Sequence, residues 1–196
     1  MELLEAADEK AFLWLNGWVG RFPWLDSLAQ LVVSDYLVPL VLSLTLLGLW
    51  FTGADAIARL RNQHGVIVGI IALGLASVVL DLFNVFLFRP RPFSTLPVSL
   101  LFYQPTDSSF PSHPAIVGFS LATGVWLWNR RVGAALLVAA TLYALARVYS
   151  GVAYPLDILG GAAIGAGAAL IGAFVLRCVK FFPELILRIA RSLYLA

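Results

Sequence analysis

Long apolar segments constrain the fold of this chain more than any other feature of its sequence. Residues 66–88 contain a single charged residue, Asp81, and are long enough to cross a hydrocarbon core of about 30 Å, which takes about 20 helical residues. Other apolar stretches precede and follow it. Hydrophobic residues make up 61% of the chain and charged residues 12%, whereas soluble domains average about 45–50% and 25%. We therefore predict an all-α integral membrane protein that forms one domain over residues 1–196.

The apolar segments predict a bundle of five transmembrane helices within residues 24–177 and leave open a sixth. The first segment, residues 24–51, is interrupted by Ser34-Asp35 and Pro39, so its start is not defined by the pattern. Prolines and polar residues separate most of the later segments. The predicted spans are 24–51, centred on 37–49, and then 66–88, 115–128, 132–148 and 156–176. Five glycines in the last span have a spacing that favours close helix contact.

Both ends of the chain mix charged and apolar residues at helical spacing. In residues 1–20, the repeat places an acidic face that includes Asp8 opposite an aromatic face that includes Phe12. Such helices lie in the membrane interface, so we predict interfacial amphipathic helices over residues 1–20 and 180–196. The first residues lack the features of a removable signal peptide, which are a basic region, an apolar core and a cleavage signal. We therefore expect the first helix to belong to the mature protein.

The basic residues predict how the bundle is oriented. Cytoplasmic loops of membrane proteins are enriched in lysine and arginine. With five spans, most basic loop residues fall on the side of the C-terminus, which is therefore predicted to be cytoplasmic. The residues on that side are Arg59, Arg61, Arg130, Arg131, Arg177, Lys180, Arg188 and Arg191.

Composition also argues against several partners. The net charge of +2 is small and the basic residues form no run, so no nucleic-acid partner is predicted. The single cysteine, Cys178, excludes an intrachain disulfide and argues against a thiolate metal site. We predict neither a cofactor nor a metal.

Three segments at span ends, all on the predicted outward side, carry residues suited to phosphate chemistry. They are Arg89-Pro90-Arg91-Pro92, Ser109 to Ala115, and Arg147 to Asp157. Guanidinium groups on proline-stiffened turns offer planar, permanently charged donors to phosphate oxygens. Ser112 begins a helix, where free backbone N–H groups add donors. Singly, these residues fit plainer roles as juxtamembrane charges, an N-cap and a partner of the helix dipole, but their order and common side favour a phosphate site.

These segments resemble the motifs of the type-2 phosphatidic acid phosphatase superfamily, which includes bacterial undecaprenyl-diphosphate phosphatases and lipid phosphate phosphatases. The family pattern is Lys, six residues and Arg-Pro; then Pro-Ser-x-His; then Arg, five residues, His, three residues and Asp. Residues 84–92, 111–114 and 147–157 are the corresponding segments here, and the resemblance covers Asp81 to about Gly165. It implies an outward-facing pocket for a polyprenyl or glycerolipid phosphate in a bacterial-type plasma membrane.

In such enzymes the third-motif histidine attacks phosphorus, the aspartate orients it, and the second-motif histidine protonates the leaving group. Lysine and arginine stabilise the charge of the transition state. By this resemblance, Arg91, Ser112 and Arg147 are phosphate-binding residues and Asp157 is the orienting carboxylate.

Three family positions are substituted. The lysine position holds Asn84, the acid position holds Pro114, and the nucleophile position holds Ala153, which cannot form a phosphoenzyme. His113 lies one residue before the acid position, which on a helix turns its side chain by about 100°. It is either a catalytic candidate or an interfacial histidine without a role.

Three interpretations account for the substitutions. The chain is a phosphatase whose nucleophile has been replaced, a natural pseudoenzyme, or an enzyme with an altered mechanism that uses His113. By family it is a hydrolase of phosphoric esters or diphosphates that acts on a membrane lipid phosphate in the bilayer. The alternatives are a non-catalytic lipid-phosphate binding or transport protein and a purely structural membrane subunit. The oligomeric state is left open.

Overall fold

Helices account for all regular secondary structure in the described part of the chain. A computed structural model describes residues 2–179, 185–188 and 192, and no strand occurs among them, which confirms the all-α prediction. Of the predicted C-terminal helix over 180–196, only 185–188, which are helical, and 192 are described; the remainder lies outside the described residues. The helices are α1 (Glu2–Asn16), α2 (Pro23–Val33), α3 (Leu37–Phe51), α4 (Ala56–Phe86), α5 (Pro92–Thr95), α6 (His113–Trp126), α7 (Arg130–Tyr149) and α8 (Pro155–Cys178).

Several helices begin where the sequence supplies an N-terminal signal. The Asp55 carboxylate accepts a hydrogen bond from a backbone N–H in the first turn of α4, and the Asn129 side chain does the same for α7. Pro114 and Pro155 lie in the first turns of α6 and α8. Proline has no backbone N–H, but the first N–H groups of a helix have no partner within the helix, so no hydrogen bond is lost. These starts determine where the second and third motif segments enter the bundle.

Among the described residues, three or four segments are long and apolar enough to cross a membrane. α4, α7 and α8 meet this criterion alone. α2 and α3 meet it together, but they are bent by 54° at the break that contains Ser34-Asp35, so they form either one broken span or a re-entrant segment. The interruption predicted at Ser34-Asp35 is therefore confirmed.

The short helix α6 lies at the centre of the bundle. Its 14 residues rise about 21 Å, which is less than a hydrocarbon core of about 30 Å. It packs against α4, α7 and α8, and most of its residues from Ala115 to Val125 are buried. Because α6 falls short of a full span, the predicted count of five transmembrane helices stays a prediction.

Two glycines of α8 allow α6 to approach closely. A methyl group on Gly161 would lie 2.5 Å from the Ser112 carbonyl oxygen, and one on Gly165 would lie 2.8 Å from the Ile116 carbonyl oxygen. A methyl group on Gly167 would meet no atom within 4 Å. The predicted role of the glycine spacing is confirmed at Gly161 and Gly165, and this contact joins the second and third motif segments.

We expect Gly165→Ala to lower the free energy of unfolding by about 1–3 kcal/mol, because its new methyl would overlap the α6 backbone. The matched control is Gly167→Ala on the same helix, which should be neutral or stabilising by up to about 1 kcal/mol. Unfolding by sodium dodecyl sulfate in detergent micelles measures both. Equal effects of the two substitutions would contradict the close contact.

Helix α1 is amphipathic as predicted, but its acidic face is divided. Glu5 and Glu9 are exposed, whereas Asp8 and Asn16 are buried. With the fully buried Phe12 they form a stripe at four-residue spacing, on the side of α1 that packs against α7 and α8. The prediction of an acidic face that includes Asp8, separate from the aromatic face of Phe12, is wrong for Asp8, because this carboxylate shares the buried stripe with Phe12 and pairs with an arginine inside the protein.

The bundle groups the loops at two ends, as the arginine pattern predicts. At one end the Asn129 amide donates to Asn62, 2.9 Å away, and the Arg177 guanidinium lies over the Trp128 ring. The three motif segments meet at the opposite end. Which side of the membrane each end faces stays a prediction.

Candidate functional site

The structure brings the three predicted segments together at one end of the bundle. The Ser112 N–H donates to the Asp157 carbonyl oxygen at 3.0 Å, which links the start of α6 to the first turn of α8. Arg91 Nη1 donates to the Val152 carbonyl oxygen at 2.7 Å, which links the first segment to the third. Ala153 follows Val152 directly, so the predicted nucleophile position belongs to the same region.

Asp157 is fully buried, and both of its carboxylate oxygens are hydrogen-bonded. Oδ1 pairs with the guanidinium of Arg89. Oδ2 accepts from the Ser109 hydroxyl and from the Tyr154 N–H, the latter at 3.0 Å. A buried charge persists only when it is paired. The carboxylate that the resemblance assigns to orienting an imidazole is held here by a guanidinium.

Arg89 joins two carboxylates whose side chains are completely shielded from solvent. Nη1 bonds Asp157, and Nη2 donates to Asp8 of α1 at 2.7 Å. The Tyr154 ring lies beside the guanidinium, with 4.3 Å between its centroid and Cζ. Burial alone would lower the pKa of Arg89, but the hydrogen bonds and charges of the two carboxylates outweigh it and raise this pKa. Arg89 therefore remains a cation.

The second oxygen of Asp8 is bound to the start of α8. It accepts from the Leu156 N–H at 2.9 Å. Asp8 thus takes a guanidinium donor and a free helix N–H, which are the donors that phosphate oxygens use. Sequence reasoning missed this contact, because Asp8 and Arg89 are 81 residues apart and no local pattern connects them.

The predicted nucleophile position is closed. Ala153 is 2% exposed and packs in an apolar cluster with Val148, Tyr154 and Ile158. Phe12 of α1 belongs to the same cluster, with its ring 5.4 Å from that of Tyr154 in an edge-on arrangement. A side chain larger than the Ala153 methyl would have to displace part of this cluster.

Arg147 is buried and paired. Its Nη2 bonds the Asp35 carboxylate, from the break between α2 and α3, and donates to the Tyr143 hydroxyl at 2.9 Å. Asp35 also accepts from the Tyr103 hydroxyl at 2.8 Å, and this hydrogen bond is the main cause of a raised Tyr103 pKa. The predicted phosphate-binding Arg147 is therefore engaged inside the protein.

Arg91 borders an open cleft of about 430 Å³ at the surface. Its Nη2 donates to the Asp107 carboxylate at 2.9 Å, and its Nε donates to the Asp107 carbonyl oxygen at 3.1 Å. The Asp107 side chain is 58% exposed. Phe88 and Phe93 add apolar surface to the cleft. The predicted phosphate-binding Arg91 therefore lies on the wall of an open cavity.

The family-level match decides the classification. A model described as the PAP2 superfamily matches residues 65–182, which is more than half of the chain. The chain belongs to the PAP2 superfamily. The match includes all three motif segments, so the predicted family is confirmed.

Relatives and solved PAP2 structures are similar over most of their length. Undecaprenyl-diphosphatase BcrC of Bacillus subtilis is 28% identical over 173 residues, 86% of this chain and 84% of the relative. Putative undecaprenyl-diphosphatase YbjG of Escherichia coli is 32% identical over 165 residues, 83% of this chain and 79% of the relative. The crystal structure of Aquifex aeolicus LpxE aligns with a TM-score of 0.64 at 29% identity, covering 84% of this chain and 93% of LpxE.

The remaining predicted PAP2 positions lie outside the ion-pair network. Ser112 is buried at the N-cap of α6, where its side chain makes no capping bond. His113 is exposed on the first residue of α6, Pro114 is half-buried, and Asn84 is exposed near the end of α4. Within the part of the chain that the structure describes, neither the His113 side chain nor the Asn84 side chain has a hydrogen-bond partner. Their functional roles stay predictions.

The PAP2 site offers no obvious place for a metal ion among its carboxylates. Within residues 2–179, 185–188 and 192, no group of three or more His, Cys, Asp and Glu side chains has the arrangement of a metal site. Asp8 and Asp157 are buried carboxylates with one neighbour in common, and that neighbour is the Arg89 guanidinium.

Proposed function

We propose that this chain is a membrane protein of the PAP2 superfamily that binds a lipid phosphate without hydrolysing it. The observation that carries the proposal is the state of the nucleophile position: Ala153 is a buried alanine, and Asp157 bonds Arg89 instead of an imidazole. A methyl group cannot attack phosphorus. Pro114, at the acid position, has no proton to give a leaving group.

The proposed ligand is a polyprenyl phosphate or diphosphate, with a glycerolipid phosphate as the second candidate. Two relatives carry the name undecaprenyl-diphosphatase. Arg91, Ser112 and Arg147 are retained in this chain. The Arg91 cleft combines a guanidinium with Phe88 and Phe93, a combination suited to a phosphate that is attached to an apolar chain.

The Asp107 carboxylate is the group that the ligand phosphate would replace at Arg91. An ion pair with a largely exposed partner contributes about 0–1 kcal/mol, so exchanging it for a phosphate costs little. Departure of this carboxylate frees an Nη2 donor of Arg91 for a phosphate oxygen, while Nη1 and Nε remain bonded to the carbonyl oxygens of Val152 and Asp107. Binding at this cleft is thus an exchange of one anion for another.

We further propose that the cleft faces outward from a bacterial-type plasma membrane and that the C-terminus is cytoplasmic. The support is the distribution of basic residues, since the end of the bundle opposite the cleft carries Arg59, Arg61, Arg130, Arg131 and Arg177. In this topology α6 is the third of the five spans and crosses inside the protein. Accessibility of single introduced cysteines at each end tests the orientation.

We expect Asp107→Asn to tighten binding of a short-chain polyprenyl phosphate by about two- to fivefold. The substitution removes a competing anion whose ion pair with Arg91 contributes up to about 1 kcal/mol. Arg91→Gln should weaken binding by about tenfold or more, because it removes charge-assisted hydrogen bonds of about 1.5–3 kcal/mol. Calorimetric titration of the detergent-solubilised protein measures both changes, and phosphate release is followed in the same samples.

The matched control for these variants is Arg131→Gln, which removes an exposed arginine at the other end of the bundle and should change nothing. Phosphate release by the unaltered chain would show that it is an enzyme with another nucleophile, such as His113. Absence of binding in every variant would favour a purely structural subunit.

A further inference from the structure

Three side chains of α1, spaced four residues apart, pack this helix against the candidate site. Asp8 bonds Arg89 and the Leu156 N–H, as described above. Phe12 belongs to the buried apolar cluster that contains Ala153. The Asn16 amide donates to the Tyr149 carbonyl oxygen at 2.8 Å and to the Ser99 carbonyl oxygen at 2.9 Å. Its Oδ1 accepts from the Ser99 N–H at 3.0 Å. One face of α1 therefore contacts the site along its length.

The charges at this end of the bundle oppose the entry of a further anion. Four carboxylates pair with three guanidiniums here, and the network that Arg89 forms with Asp8 and Asp157 carries one excess negative charge. A phosphate that approaches this network is repelled unless a carboxylate leaves. The carboxylates belong to Asp8, Asp35, Asp107 and Asp157, and the guanidiniums to Arg89, Arg91 and Arg147.

Asp8, like Asp157, accepts from a guanidinium and from a backbone N–H, the kinds of donor that surround a bound phosphate. It takes a guanidinium and a helix N–H together, and it is fully buried. Asp157 is held within α8 by the Tyr154 N–H and by Ser109, so it cannot leave without disturbing the bundle. Asp8 lies on α1, an outer helix that packs mainly on α7 and α8, while α4, α6, α7 and α8 pack on one another without it.

We infer that α1 is a built-in competitor of the ligand: its Asp8 carboxylate occupies donors on Arg89 and α8 that a lipid phosphate needs, and full occupancy of the site requires α1 to withdraw. This inference rests on the proposed function and describes the regulation of that same site. Withdrawal frees Arg89 Nη2 and the Leu156 N–H and uncovers Ala153. The closed structure is then the resting form, and a lipid phosphate or the loss of the Asp8 charge opens it.

The first test follows the cover itself and needs no ligand. Ala153→Cys in a Cys178→Ser background places a single thiol under Phe12, where a charged methanethiosulfonate reagent should label it slowly. Adding Asp8→Asn should raise the labelling rate severalfold, because the amide has no charge to hold Arg89. Glu9→Gln, on the exposed face of the same helix, is the matched control and should leave the rate unchanged.

The second test measures binding of a short-chain polyprenyl phosphate to the otherwise unaltered chain. Asp8→Asn should tighten binding by about tenfold, the equivalent of 1.4 kcal/mol. Asn16→Ala, which loosens α1 without touching Arg89, should change labelling and binding in the same direction. It also serves as the second variant if Asp8→Asn does not elute as a folded species in size-exclusion chromatography.

The outcomes separate this inference from the proposed function. Faster labelling together with tighter binding supports both. Unchanged labelling in folded Asp8→Asn and Asn16→Ala overturns the competitor role of α1, even if the lipid phosphate binds. Faster labelling without lipid-phosphate binding in any variant shows that α1 is a removable cover and that the proposed function is wrong.

Discussion

Replacing Arg89 with alanine is expected to lower the free energy of unfolding by about 3–5 kcal/mol, the cost of removing one partner from a buried ion pair. The variant leaves the Asp8 and Asp157 carboxylates without a guanidinium, and neither side chain is exposed to solvent. The Tyr154 ring also loses its cation. Unfolding by sodium dodecyl sulfate in detergent micelles, followed by circular dichroism, measures the loss.

Arg91→Ala provides the comparison and should cost less, because it leaves a largely exposed Asp107 carboxylate and two backbone carbonyl oxygens without Arg91 but no buried carboxylate without its partner. Combining Arg89→Ala with Asp8→Asn and Asp157→Asn should recover part of the lost stability, since amides need no counter-charge. Similar losses for Arg89→Ala and Arg91→Ala would contradict the structural role of the buried network.

Restoring histidine at positions 153 and 114 together is expected to produce phosphate release, whereas Ala153→His alone should release little. A general acid contributes about 10²–10⁴-fold, and Pro114 has no proton to donate. A short-chain polyprenyl monophosphate is the informative substrate, because its alkoxide leaving group depends on that proton. Both variants should carry Phe12→Ala, which makes room for an imidazole in the closed cluster around Ala153. Released inorganic phosphate is measured over time.

The control for this experiment is Ala153→Gln with Pro114→His in the same background, which supplies a side chain of comparable length without a nucleophile. It should release no phosphate. Release by that control, or by the unaltered chain, would show that the nucleophile does not occupy position 153 and would turn attention to His113.

The Arg89–Asp157 pair gives a structural partner to the carboxylate that was predicted to orient a nucleophile. A buried carboxylate cannot persist without a partner. When the residue at position 153 is alanine, Asp157 has no imidazole to orient, and Arg89 satisfies it instead. Asp8 then completes the coordination of Arg89 from α1. Asp157 can therefore be retained in a protein that does not hydrolyse a phosphate, and its presence alone does not indicate catalysis.

Much of the fold was predictable from the sequence, because the features involved are local. A membrane-spanning helix needs a continuous apolar stretch, and α4, α7 and α8 are helices of this kind. The break at Ser34-Asp35 and the small residues of α8 are likewise visible over a few neighbouring positions. The order of the three motif segments identified the family for the same reason.

The state of the candidate site was decided only by the tertiary structure. Arg89 pairs with Asp8 and Asp157 across 81 and 68 positions of the chain, and Arg147 pairs with Asp35 across 112. In the sequence the same arginines look like free donors for a phosphate. Whether a guanidinium binds a ligand, water or another side chain depends on which carboxylates the packing of helices brings within hydrogen-bonding distance, and helical periodicity contains no information about contacts so distant along the chain.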